Sequence, residues 1–176
     1  MTTVYYTAAS LDGFLIGEDG SLDWLAGVES IEEDDGFFDG IGAMCMGANT
    51  YEWIRANEPP ESWHEMHGDL PCWVFTHRDL PAIPGANLRF VSGDVAPVHR
   101  EMRAAAGDRT VWIGGGGDLA GQFADAGSLD EVIVGVAPVT LGAGAPLLPR
   151  RLLSDRLRLV DVEKAGQFAR LTYRLG

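Results

Sequence analysis

VWIGGGGDLAGQF, residues 111–123, sets four consecutive glycines between a run that reads as a buried strand and one that reads as a helix. One or two glycines suffice for a tight turn between a strand and a helix. Four strip every Cβ from the junction, so the backbone can take positive φ and a ligand can approach the amides closely. The helix that follows offers unpaired N–H groups and the positive end of its dipole, which together suit an anion, most often a phosphate. A Walker A loop is excluded, because Asp118 and Leu119 stand where Lys and Ser or Thr are required. Gly115, Gly117 and Ala120 satisfy the loose dinucleotide pattern G-x-G-x-x-A, but no acidic residue closes the next strand, which ends in Ala137, Pro138 and Val139. The pattern also falls too late in the chain to open a Rossmann domain.

Outward from the glycines, the pattern alternates. TVYYTAAS at the start reads as a strand, and LDGFLIGEDGSLDWL follows as a loop punctuated by Gly and Asp. Ser30 with Glu33 three residues on has capping-box spacing and predicts a short acidic helix running toward Gly40. AMCMG reads as a strand and NTYEWIRA as a helix. Residues 57–71, rich in Pro, His and acids, predict a surface excursion, and CWVFTH a further strand. NLRFVS, VAPVHREMRAAAG, TVWIG and DLAGQFADAG continue as strand, helix, strand, helix. DEVIVGVAPV, RLRLVDVEKAG and FARLTYRL then read as successive strands. Such an order predicts an α/β sandwich, a mostly parallel mixed sheet between two helical layers with an antiparallel C-terminal edge. In these sheets ligands bind beyond the carboxyl ends of the strands, where the four glycines fall. One domain over residues 1–176 is expected, since this length and a hydrophobic fraction of 46% support one sizeable core.

Composition narrows the partners. A formal net charge of −13 argues against nucleic acid and anionic membranes, both of which need a basic face. No apolar run is long enough to span a bilayer and no signal peptide is evident, so a cytoplasmic protein is expected. Cys45 and Cys72 sit in apolar runs without metal-ligand spacing and read as core thiols. His64 and His67 in WHEMH are one residue short of the zinc-protease spacing, so no metal is expected. Trp53, Trp63 and Trp73 read as core or interface aromatics.

Four segments, AASLDGFLIGEDGSLDWL, MGANTYE, VWIGGGGDLAGQF and APVTLGAGAPLLP, occur in the order seen in the dihydrofolate reductase superfamily. The chain most resembles the branch that contains the reductase domain of riboflavin biosynthesis and its small stand-alone homologues. The resemblance implies a dihydrofolate reductase-like fold and a pyridine-nucleotide-dependent reductase. It places Gly114, Gly115, Gly116, Gly117, Asp118 and Leu119 against the cofactor pyrophosphate, often through an unusual Gly-Gly peptide. It brings Gly47, Asn49 and Thr50 to the same phosphates from a second helix, and Thr76, His77 and Arg78 to the adenosine 2′-phosphate. Ala9, Ile16 and Gly17 would flank the nicotinamide, and Asp12 and Trp24 would lie near the substrate in catalytic roles.

One departure bears on cofactor choice. The branch commonly carries Arg after MG, and here Ala48 follows. Arg78 is then the main residue favouring NADPH over NADH, although NADH stays possible. Hydride transfer needs positioning and exclusion of water rather than a nucleophile. The implied substrate is a flat heterocycle, with the phosphoribosylaminouracil of the riboflavin pathway and a pterin as patterns. Residues 1–54 hold no Lys or Arg, so a phosphorylated substrate would have to find its cations elsewhere in the chain. A stand-alone homodimer is implied. The alternative is a nucleotide-binding homodimer with little or no turnover.

Overall fold

A computed structural model describes residues 1–28 and 36–176. The predicted helix opened by Ser30 and Glu33 lies largely outside these residues; its end, Phe38–Gly40, is a 3-10 turn. Eight strands form the main sheet: β1 (Thr3–Ser10), β3 (Ile41–Gly47), β4 (Cys72–Phe75), β5 (Leu88–Val91), β6 (Thr110–Gly115), β7 (Glu131–Ala137), β9 (Leu157–Ala165) and β10 (Phe168–Leu175). Their order is β5-β4-β3-β6-β1-β7-β10-β9. Pairing from β5 through β7 is parallel throughout, and β10 runs antiparallel to both β7 and β9. The expected mostly parallel sheet with an antiparallel C-terminal edge is thus observed. Two short strands, β2 (Phe14–Ile16) and β8 (Ala145–Pro146), form a separate antiparallel ribbon.

Strand periodicity divides the core into two layers. In β3, Ala43 and Cys45 face one helical layer while Met44 and Met46 face the other; in β4, Trp73 opposes Cys72 and Val74. That is the two-residue alternation of a sheet covered on both faces. Helices α4 (Val95–Ala106) and α5 (Gly117–Asp125) cover the first face with Val98, Met102, Leu119 and Phe123. Helices α2 (Ala48–Asn57) and α3 (Pro60–His67) cover the second with Tyr51 and Trp63. A one-turn helix, α1 (Asp23–Ala26), holds Trp24. Cys45 and Cys72 are buried and free, as their apolar runs predict, and burial pushes both thiols well above the ordinary range.

Two expectations need correction. Residues 57–71 are not a plain surface excursion, because α3 opens with Pro60 in its first turn, where its missing N–H costs nothing. Its Trp63 is 1% exposed, and the ring packs edge-on against His67 one turn later. Within the loop after β1, Phe14–Ile16 extends into the ribbon with β8 instead of remaining irregular.

Chain direction creates a crevice. From β3 the chain passes through α2 and α3 to β4 on one side, and from β6 it passes through α5 to β7 on the other. Since β3 and β6 are neighbours, their connections part in opposite directions and leave an opening above their carboxyl ends.

Candidate functional site: a cleft between two helix starts

The opening is a cleft of about 650 Å³. Gly116 and Gly117 line it at the start of α5, and Gly47, Ala48, Asn49 and Thr50 line it at the start of α2. Gly47 and Gly116 occupy the N-cap positions, and neither supplies a side-chain cap. The N-cap residues therefore offer the first-turn amides of both helices no side-chain acceptor, and both dipoles present their positive ends to one space.

The glycines differ in what they allow. Gly115 has φ 143°, a conformation that L side chains rarely adopt, and the Gly115–Gly116 peptide is cis. A Cβ on Gly117 would lie 2.3 Å from the Pro146 carbonyl oxygen and 2.4 Å from that of Leu147, so this glycine is required by packing. A Cβ on Gly116 would meet nothing within 4 Å. Gly116 is thus the position where bare backbone serves the cleft and not the fold.

Ile16 and Gly17 at the end of β2 form the facing wall with Ala145 and Pro146 of β8. Asp118 and Leu119 continue the lining along α5. Arg150 reaches across that helix, bonding Asp118 at 3.1 Å and Asp125 at 2.7 Å. The Asp118 carboxyl is held below its usual range by the Gln122 amide first, with Arg150 adding to the effect and partial burial opposing it.

Arg78, just beyond β4, touches the same rim. Its guanidinium donates to Asn49 Oδ1 at 2.9 Å and pairs with Glu52 Oε2 at 2.6 Å. Thr76 Oγ1 accepts the Arg78 N–H at 2.9 Å and fixes this turn. His77 lies in the same exposed turn.

Most of the sequence-predicted residues converge. Ile16, Gly17, Gly47, Asn49, Thr50, Gly116, Gly117, Asp118 and Leu119 line one cleft, Gly114 and Gly115 lead into it, and Thr76 to Arg78 meet its rim through Asn49. Ala9, Asp12 and Trp24 do not line it. Ala9 is fully buried at the end of β1. Trp24 keeps a buried indole N–H with no hydrogen-bond acceptor among the described residues. Asp12 is exposed and turned to the loop after β7, with Gly142 N–H donating to its carboxylate at 2.7 Å. His64 and His67 part company: the first bonds the Pro84 carbonyl at 2.9 Å and the second packs on Trp63.

Several lining residues went unread in the sequence. Trp53, expected as a core or interface aromatic, forms part of the wall together with Phe75 and Gln122. Its position one turn beyond Asn49 on the helix that opens at the cleft was the available signal. Glu52 carried none, because its role depends on Arg78 reaching it from another strand.

These features define a class: an α/β sandwich whose cleft opens at a switch point between two helix starts without side-chain caps, the dihydrofolate reductase-like architecture. The sequence profile of the RibD C-terminal domain family matches residues 61–169, and the chain belongs to that family. It is 32% identical to YwjB of Bacillus subtilis, an uncharacterised protein, over 97% of this chain and 96% of the relative. In structure it is similar to a candidate riboflavin biosynthesis protein from Shewanella sp. PV-4, with a TM-score of 0.82 at 23% identity over 100% and 99% of the two chains. It also overlays a dihydrofolate reductase from Enterococcus faecalis, solved in complex with NADP(H), with a TM-score of 0.62 at 14% identity over 99% and 96%.

Proposed function

We propose that the chain, acting as one domain over residues 1–176, is a nicotinamide-dinucleotide-dependent reductase that prefers NADPH. The observation that carries this reading is the pair of uncapped helix starts converging on Gly116, where a Cβ would enter open cleft. A pyrophosphate fits that cradle, since two sets of first-turn amides and two dipoles favour an anion there. Gly47, Asn49 and Thr50 on one side and Gly115 to Leu119 on the other hold the phosphates. Thr76, His77 and Arg78 receive the adenosine end, and Arg78 favours a 2′-phosphate. Ile16, Gly17 and the end of β1 at Ala9 flank the nicotinamide.

When bound, the cofactor supplies a hydride. The chain's part is to fix the ring, exclude water and orient the acceptor. Trp24, whose indole N–H has no acceptor among the described residues, is the residue we assign to the substrate side, where a heterocyclic carbonyl or ring nitrogen would accept from it. Family membership favours a flat heterocycle resembling 5-amino-6-(5-phosphoribosylamino)uracil, with a dihydropterin as the second pattern. A homodimer is supported by the edge strand β9, which exposes Leu159, Val160 and Val162.

Titration with NADPH and NADH, followed by turnover assays on dihydrofolate and on the phosphoribosylaminouracil, tests the reading. Binding with turnover of one heterocycle is expected. Absence of nucleotide binding removes the proposal, and binding with no turnover of any heterocycle favours the non-catalytic alternative.

A further inference from the structure

One wall of the cleft belongs to no large sheet. The β2–β8 ribbon is not hydrogen-bonded into the main sheet, so the bonds at its ends bear on its position. One carboxylate does much of this. Asp12 accepts the Leu141 N–H at 3.1 Å on Oδ1 and 3.2 Å on Oδ2, and the Gly142 N–H at 2.7 Å on Oδ2. The Ser10 hydroxyl donates to Asp12 Oδ1 at 2.5 Å, and Ser10 Oγ in turn accepts the Phe14 N–H at 2.9 Å. The turn that opens β2 is thereby tied to the loop that leads into β8.

Contacts beyond this point carry the constraint into the cleft. Leu147 N–H donates to the Gly13 carbonyl at 2.9 Å, and the Tyr5 hydroxyl donates to the Leu147 carbonyl at 3.0 Å. Gly144 lies so close to β2 that a Cβ would fall 1.9 Å from the Ile16 carbonyl oxygen. The Pro146 and Leu147 carbonyls bear on Gly117 at the start of α5. A shift at Asp12 therefore moves Ile16 and Gly17 on one wall and the backbone packed on Gly117 at another.

We propose that Asp12 is a positioning residue, a latch whose carboxylate holds the β2–β8 ribbon in register with the start of α5, so that the cleft keeps the width a nicotinamide dinucleotide needs. The proposal rests on the nucleotide-binding reading of the cleft. It replaces the expectation of a catalytic role for Asp12. A carboxylate facing two N–H donors and a hydroxyl donor is an acceptor with no proton to give. The Ser10 hydroxyl first, and the Gly142 N–H next, hold its carboxyl below the ordinary carboxylate range, so it is ionised at neutral pH.

Asp12→Asn and Asp12→Ala test the latch in the full chain. Asparagine keeps the shape but turns an N–H donor toward a backbone N–H. A displaced wall is expected to weaken NADPH binding by about tenfold in Asp12→Asn and by more in Asp12→Ala, up to about a hundredfold. Amide exchange at Phe14, Leu141 and Gly142 accelerates in both variants, with or without nucleotide. The pH dependence of kcat keeps its wild-type shape. Ser10→Ala weakens the same latch, and adding it to Asp12→Ala costs little further affinity. An Asp12→Asn protein with unchanged NADPH affinity and unchanged exchange, but lacking one limb of the kcat profile, overturns the latch in favour of a catalytic acid. Should the wild-type protein bind no nucleotide, the functional reading fails separately. The exchange data still decide the latch: faster exchange supports it and unchanged exchange overturns it.

Discussion

Replacing Glu52 by Gln shifts cofactor choice toward NADPH. Glu52 Oε2 lies 2.6 Å from the Arg78 guanidinium, the group proposed to receive the 2′-phosphate, and Asn49 takes another of its N–H bonds. The two charged side chains are 39% and 51% exposed, so the pair contributes only about 0.2–1 kcal/mol after solvent screening. A 2′-phosphate must compete with that pairing and also approach the Glu52 carboxylate. At a separation of about 6 Å in a water-like dielectric, that repulsion adds roughly 1 kcal/mol. Removing the charge should therefore tighten NADPH by about five- to twentyfold, more at low salt. NADH, which has no 2′-phosphate, should be unchanged or weaker. Arg78→Gln runs the other way, because losing charge-assisted bonds of about 1.5–3 kcal/mol weakens NADPH by about ten- to a hundredfold and leaves NADH nearly untouched. Calorimetric titration of both nucleotides at two salt concentrations reads the ratio. If Glu52→Gln leaves it unmoved and Arg78→Gln weakens both cofactors equally, the adenosine end does not sit at Arg78.

Other outcomes follow from packing and titration. Gly117→Ala should lose roughly 1–3 kcal/mol in urea unfolding, because its Cβ would press on the Pro146 and Leu147 carbonyls. Gly116→Ala should stay within about 0.5 kcal/mol of wild type, and equal losses at the two positions would contradict the packing argument. His99, bonded to Thr3 at 2.8 Å, titrates below its ordinary value of 6.5, chiefly because burial disfavours the cation, with Arg103 adding and Asp130 opposing. His67 is lowered by burial as well. The folded protein binds fewer protons than the unfolded chain in this window, so stability is whole above 6.5 and declines as pH falls below it. The lowered carboxyls of Asp12 and Asp118 contribute stability that is present above their ordinary value of 3.8 and lost only in stronger acid. Melting temperatures should therefore begin to drop near pH 6.5, and a His67→Gln, His99→Gln protein should show a flatter slope down to pH 5. An unchanged slope would exclude the histidines as its source.

Elements that depend on local patterning were readable in the sequence. AMCMG, CWVF and TVWIG are short apolar runs, DLAGQFAD has a helical face, and the closing strands lack helix signals, so the strand and helix order followed. The glycine run marked the cleft because no fold needs four of them in a turn. What escaped depends on distant partners. Phe14–Ile16 is too short to declare itself a strand, and its partner Ala145–Pro146 lies at the far end of the chain. Prolines at 59 and 60 read as a loop, whereas Pro60 opens a helix that buries Trp63 beneath Ile83 and Tyr51. Trp53 resembled a core aromatic because its exposure depends on how α2 meets the cleft. Asp12 carries its motif in the sequence, but the Leu141 and Gly142 amides that its carboxylate accepts lie too far along the chain to be paired with it by reading alone.

Calorimetric titration of NADPH into the wild-type protein and into Gly116→Val tests the central claim most directly. The valine side chain enters the cleft where a Cβ meets nothing else, so the variant should fold with a near wild-type melting temperature. The account predicts saturable one-site binding to the wild type and loss of at least about a hundredfold in affinity for the variant, since the pyrophosphate can no longer lie against the helix start. Equal affinity in both folded proteins, or no binding to the wild type, would contradict it.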